Sequence, residues 1–202
     1  MEDGTAVRLE PHEIALLGDG PRAAVTVAVL DLHLRGLVEA DLPGTMRRGI
    51  GDAVHGERPP SALAEAVHAS LREPAGLKTL VKDPGVRLAV ALLRVPLAEA
   101  GLLRYPLLGP TRAARRHVRD LRQAHPLPET RRGLGHHDRL RAVALHGEPA
   151  LRLLVPRFAL RAGLVRRADV GGGPLLKHSP RGTGGGHGGW ASCGGGGGGG
   201  GD

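Results

Sequence analysis

Aromatic residues are nearly missing: Tyr105, Phe158 and Trp190 are the whole complement of a 202-residue chain. A β-sandwich or barrel core draws heavily on aromatic and β-branched side chains, so the shortage points away from those folds. What remains to fill a core is Leu, Val and Ala, a palette that suits packed helices. The same scarcity argues against holding single-stranded nucleic acid by base stacking. Cysteine occurs once, at Cys193, so no intramolecular disulfide can form and nothing calls for an oxidising compartment. No apolar run approaches the roughly 20 residues of a membrane-spanning helix. Arg87, Arg94 and Glu99 interrupt the best stretch, 86–108. The opening MEDGTAVRLEPHE is acidic and lacks the apolar centre of a secretory signal. A soluble, cytoplasmic protein is expected.

Asparagine is absent and only three of the 28 basic residues are lysine. The net charge of +8 is unevenly spread. Residues 1–100 carry 11 Lys/Arg against 14 Asp/Glu, whereas residues 101–170 carry 15 Arg against 5 acids. Glycine is concentrated at the other extreme of the chain: residues 171–202 hold 17 of the 33 glycines, with an unbroken run from Gly194 to Gly201. Such a segment has too few side chains to offset its ordering entropy and is expected to be disordered. That leaves a folded domain over 1–170, enough chain for a real hydrophobic core.

Within that domain, prolines and glycines punctuate apolar-periodic runs. Pro21, Pro84, Pro110 and Pro149 stand where a first helical residue belongs, Asp83 where an N-cap belongs, and Gly36, Gly101, Gly147 and Gly163 where helices end. The pattern predicts helices over 12–17, 21–35, 60–73, 75–82, 84–100, 110–125, 137–146 and 149–162. Pro96 and Pro156 should kink or break two of them. The segments 42–58 and 126–136 read as irregular connections. The stretches VAVLDLHLRGLVEAD, ALLRVPLAEAGLLRYP and LVPRFALRAGLVRRAD echo one another. Each ends a helix at Gly36, Gly101 or Gly163 and continues with Leu and then Val or Leu; four residues before the glycine stands Leu32, Leu97 or Ala159. Repeated helix–strand units with short β-like exits, as in winged-helix modules, would produce such an echo, and so would convergence on one kind of helix end. The fold class is mainly α either way.

Few motifs carry chemistry. Gly18-Asp-Gly20-Pro-Arg-Ala23 fits the dinucleotide-binding pattern, with Asp41 at a suitable distance. Pro21, however, removes an amide where a pyrophosphate would need one, and the sequence beyond Asp41 lacks the further strands of that fold. A helix–turn–helix is the simpler reading, and no dinucleotide or other cofactor is expected. For His136, His137 and Asp138, adjacent histidines rarely converge on one metal ion and no spaced partner completes a set. Asp138 is expected to cap the following helix and the histidines to lie in solvent. Ser61, Ser70, Ser179 and Ser192 lack a nucleophile motif or a recognisable base. No metal site and no catalytic constellation is assigned.

The basic stretch is more substantial. Arg112, Arg115, Arg119 and Arg122 recur at helical spacing opposite Ala114, Val118 and Leu121, and Arg131 and Arg132 follow. These six are the candidate anion-binding residues. Such a stripe suits phosphates of nucleic acid or lipid headgroups; it also suits a plain solvated face.

The segments LLGDGPRAAVTVAVLDLHLRGLVEAD, ALAEAVHASLREPAGL, GPTRAARRHVRDLRQAHPLP, VALHGEPALRLLVPRFALRAGLV and WASCGGGGGGGGD together resemble an uncharacterised bacterial domain family with glycine- and cysteine-rich tails. Its members are described as membrane proteins of unknown function. This chain departs from them in having no membrane-spanning segment and one tail cysteine. The resemblance implies a helical domain and no particular ligand. HEIALLGDG and GLLRYPLLG are in addition similar to bacterial relatives of the Golgi phosphoprotein family, which implies association with anionic membranes. The expected function is that of a non-enzymatic protein-interaction module, with peripheral binding to anionic lipid through the basic helix, or DNA binding through winged-helix-like units, as alternatives.

Overall fold

A computed structural model describes residues 9–50, 59–104, 109–165 of the chain. The glycine-rich segment 171–202, with Trp190 and Cys193, lies outside the described residues. Helices dominate: α1 (Pro11–Asp19), α2 (Pro21–Leu34), α3 (Ala62–Ser70), α4 (Leu77–Lys82), α5 (Pro84–Glu99), α6 (Arg112–Ala124), α7 (His136–His146), α8 (Glu148–Leu154) and α9 (Pro156–Arg161). Two short antiparallel hairpins interrupt them. β1 (Val38–Ala40) pairs with β2 (Met46–Arg48) in the register Val38 to Arg48, and β3 (Leu103–Arg104) pairs with β4 (Gly109–Pro110).

The helices form around α2. Every residue from Val27 to Leu32 is buried, so α2 has no solvent face along that stretch and packs against α1, α3, α4, α5, α7 and β1. A helix buried all round needs apolar side chains on every side, and VAVLDL supplies them except at Asp31. Among the described residues the core is mostly Leu, Val and Ala, with Ile14, Met46 and one aromatic, Phe158. Its ring stacks on the His33 imidazole at a centroid separation of 3.6 Å, tying α9 to α2.

Helix starts follow the local chemistry. Asp83 accepts from the Val86 amide at 3.0 Å, and Ser61 and Thr111 do the same for α3 and α6. The three echoes end alike. Gly36, Gly101 and Gly163 have φ of 75°, 69° and 68°. The following Leu37, Leu102 and Leu164 donate to the carbonyls of Leu32, Leu97 and Ala159 at 2.8, 2.9 and 2.9 Å. The glycine amides donate to His33, Ala98 and Leu160. Each end is a Schellman motif, in which a left-handed residue lets two amides turn back onto otherwise unpaired carbonyls. The spacing of the echo is the spacing of that hydrogen-bond pattern. Strands follow Gly36 and Gly101; after Gly163 the described residues contain a turn and no strand.

Two expectations change. The segment 42–58 holds β2, whose Met46 also exchanges both backbone bonds with Ala75 at 2.9 Å; residues 51–58 lie outside the described part. Pro96 does not break α5. It sits one turn from the helix end, where a proline removes a single bond, from the exposed Leu92. Pro156 does end α8, and α9 starts on it. Ile14–Leu17, the apolar run before Gly18, is helical within α1, so no strand enters the Gly18–Ala23 turn; Gly20, at φ 82°, joins α1 directly to α2.

Candidate functional site

An ideal helix advances about 100° per residue, which sorts the arginines of α6 by direction. Ala114 and Val118 are buried and Leu121 half-buried. Arg112, Arg115, Arg116 and Arg119 fall within an arc of about 100° on the opposite side and rise over about 10 Å of axis. All four are exposed, and none has a carboxylate partner among the described residues. Arg116 was not part of the stripe read from the 3-4-3 spacing. It belongs to it because residues 112 and 116, like 115 and 119, stand one turn apart.

Arg122 does not join this face. Its Nε donates to the Leu145 carbonyl at 2.6 Å and its Nη2 lies 3.3 Å from Asp19 Oδ2, so it clamps α6 to the ends of α1 and α7. The side chain that completes the periodic pattern is therefore a structural one. Arg131 and Arg132 are exposed in the connection between α6 and α7, off the helix.

Two of the four, Arg112 and Arg115, sit in the first turn of the helix, the wrong end for stability. No acid occupies the first turn of α6. Positive charges near a helix N-terminus oppose the macrodipole by about 0.3–1 kcal/mol each. Like charges at i,i+3 and i,i+4 add a few tenths of a kcal/mol per pair, and the four arginines make four such pairs: 112 with 115, 112 with 116, 115 with 119, 116 with 119. Asp120 flanks Arg116 without forming an ion pair with it.

A second feature is apolar. On α5, Leu88 is 61% exposed, Leu92 61% and Val95 51%. They form a ridge at helical spacing, flanked by Arg87 and the half-buried Arg94. Thr111, the cap of α6, donates through its amide to Leu102 and through its hydroxyl to Gly101, stitching the end of α5 to the start of α6.

The third feature is internal. Asp31, the buried acid of α2, accepts from Arg35 Nε at 2.8 Å and lies 2.6 Å from His136 Nε2. This cluster stands at a cleft of about 760 Å³ bounded by the starts of α1, α3 and α7 and by one face of α2. His12 and His137 also line it. The adjacent histidines are thus turned inward, against the expectation that they lie in solvent. The reason is their position in the first turn of α7, which packs on α1 and α2. Nor is Asp138 the cap of α7: Gly135 is, with no side-chain cap bond. Among the described residues no group of three His, Cys, Asp or Glu side chains converges as a metal site. Burial holds His12 below the ordinary imidazole range and outweighs the opposing charges of Glu13, Glu10 and Asp31. No helix among the described residues is long and apolar enough to cross a membrane.

No family model, curated protein or solved structure matches the chain.

Proposed function

We propose that the chain is a non-enzymatic interaction module whose docking surface is the arginine face of α6, and that the partner is the anionic surface of a lipid membrane. The observation that carries this reading is the placement of Arg112, Arg115, Arg116 and Arg119. Four cations with no ion pair among the described residues share this face; Arg112 and Arg115 oppose the dipole, and the four repel one another. Departures from local stability rules concentrate at functional positions. Phosphate-bearing headgroups would supply the missing counter-charge, at about 1 kcal/mol per arginine near the surface.

The ridge on α5 favours lipid over DNA. In a helix-turn-helix protein the helix read into the groove presents donors to base edges and phosphates. The helices α3, α4 and α5 followed by the β3–β4 hairpin have the order of a winged-helix unit, yet α5 exposes Leu88, Leu92 and Val95. Apolar side chains beside basic ones are what an interfacial membrane helix offers. The likeness to Golgi phosphoprotein relatives runs the same way. Flotation with phosphatidylcholine vesicles, with and without phosphatidylserine, tests the reading: binding is expected only to the anionic vesicles. Binding to duplex DNA and to neither vesicle would replace it.

A further inference from the structure

The ridge on α5 belongs to a longer strip. Pro84, Leu88, Ala91, Leu92, Val95 and Pro96 are all exposed. At about 100° and 1.5 Å per residue they span an arc of about 140° and about 18 Å of axis. No charged residue falls within that arc between Pro84 and Pro96. Exposed Glu99, one turn past Val95, closes it. A continuous apolar surface of this kind marks contact with a partner or a membrane.

The charges around the strip select between those occupants. Arg87 and Arg94 stand along the same long edge. A second copy packed antiparallel across a twofold axis would bring its own Arg87 and Arg94 to that edge, four like charges in a row. A membrane instead supplies anionic headgroups at the edge and apolar chains beneath the strip. The α6 face also starts where the strip ends: Thr111, the cap before Arg112, donates to the Leu102 and Gly101 carbonyls just beyond α5. Resting on the membrane reading above, we infer that α5 is the segment that enters the lipid, and that it selects loosely packed anionic membranes. Pro96 sets the depth. It gives no amide to the Leu92 carbonyl, and such an acceptor is costly in hydrocarbon. The helix therefore lies flat at the boundary between headgroups and chains. A short strip at that depth does little to part a tight monolayer, so it fills gaps already present between headgroups.

Vesicles of one size and one phosphatidylserine content, made from dioleoyl lipids with or without cholesterol, test this, because cholesterol closes the gaps. The full chain should bind the loose vesicles about tenfold more tightly than the tight ones, the order set by covering two half-exposed leucines. Leu88→Ser with Leu92→Ser should lose that preference and keep weaker, salt-sensitive binding. Its melting temperature should not move, since both side chains face water. A fluorophore attached at Leu92→Cys, with Cys193→Ser, should be quenched by lipids brominated on their chains. Equal binding to both vesicles, an unquenched label or a serine variant that keeps the preference would overturn the inference, and salt-sensitive binding alongside would leave the α6 reading standing. A wild type that binds no anionic vesicle would overturn both. Sedimentation as a dimer that the two serines dissociate would give the strip to a second copy and overturn the inference as well.

Discussion

Replacing Asp31→Leu should be among the most damaging single changes in the molecule. The Asp31 side chain is 9% exposed and that of its partner Arg35 is 10%. The substitution fills similar space with apolar atoms but takes the shared carboxylate away from both Arg35 and His136 beside the most buried helix. Breaking a buried pair from one side costs about 3–5 kcal/mol, because the remaining charge is left without compensation. For a domain of this size, that lowers the melting temperature by about 6–20 °C. Removing both charges together, Asp31→Leu with Arg35→Met, should restore most of the loss, since two well-packed apolar residues replace a buried pair at little net cost. An exposed pair makes the contrast: Arg47 and Glu39, 3.5 Å apart and about half exposed, should lose less than about 1 kcal/mol on Arg47→Ala. Urea unfolding followed by far-ultraviolet circular dichroism measures all three. An Asp31→Leu protein within about 1 kcal/mol of wild type, or a double variant no better than the single one, would refute the argument.

The same apparatus checks two further expectations. Gly101→Ala should cost about 1–2 kcal/mol, the left-handed backbone alone, because a Cβ there meets nothing. Gly49→Ala should cost more, since its Cβ would collide with the Gly36 carbonyl oxygen. Acid titration is the second. Burial lowers His12, His33 and His68 from the ordinary value. In the unfolded chain they protonate near pH 6.5, and in the fold only at lower pH. Their contribution is therefore complete above about pH 6.5 and is lost as pH falls through the folded values. His33→Gln should flatten the fall in melting temperature on acidification, besides lowering it at neutral pH by removing the stack on Phe158 and the bond to the Val38 carbonyl.

Most helices were legible because their ends are written in local chemistry: Asp83 before Pro84, Gly36 before Leu37, Pro156 after Val155. The hairpins were less so. Met46–Arg48 is a three-residue strand whose pairing with Val38–Ala40 is a non-local fact. The candidate sites divided on the same line. Periodicity found Arg112, Arg115 and Arg119, which depend only on the helix. It could not exclude Arg122, because the contact that removes that side chain is with Asp19, 103 residues away. The cleft was invisible for that reason too: Asp31 and His136 are 105 positions apart. One signal was available, an acid within the apolar run VAVLDL. A buried carboxylate needs partners, and the inward-facing histidines of α7 provide one.

The central claim is that Arg112, Arg115, Arg116 and Arg119 serve binding while Arg122 serves the fold. Vesicle affinity and melting temperature, measured together on two variants, separate these roles. Changing the four face residues to Gln should remove binding to anionic vesicles, a loss of about three orders of magnitude at low salt. The salt dependence of the wild type, whose screening length is about 8 Å at physiological ionic strength, should vanish with it. That variant should be at least as stable as wild type, since mutual repulsion at the start of α6 is relieved. Arg122→Gln should do the reverse: binding retained, melting temperature lowered. A four-residue variant that binds like wild type, or that loses binding only by unfolding, would contradict the account.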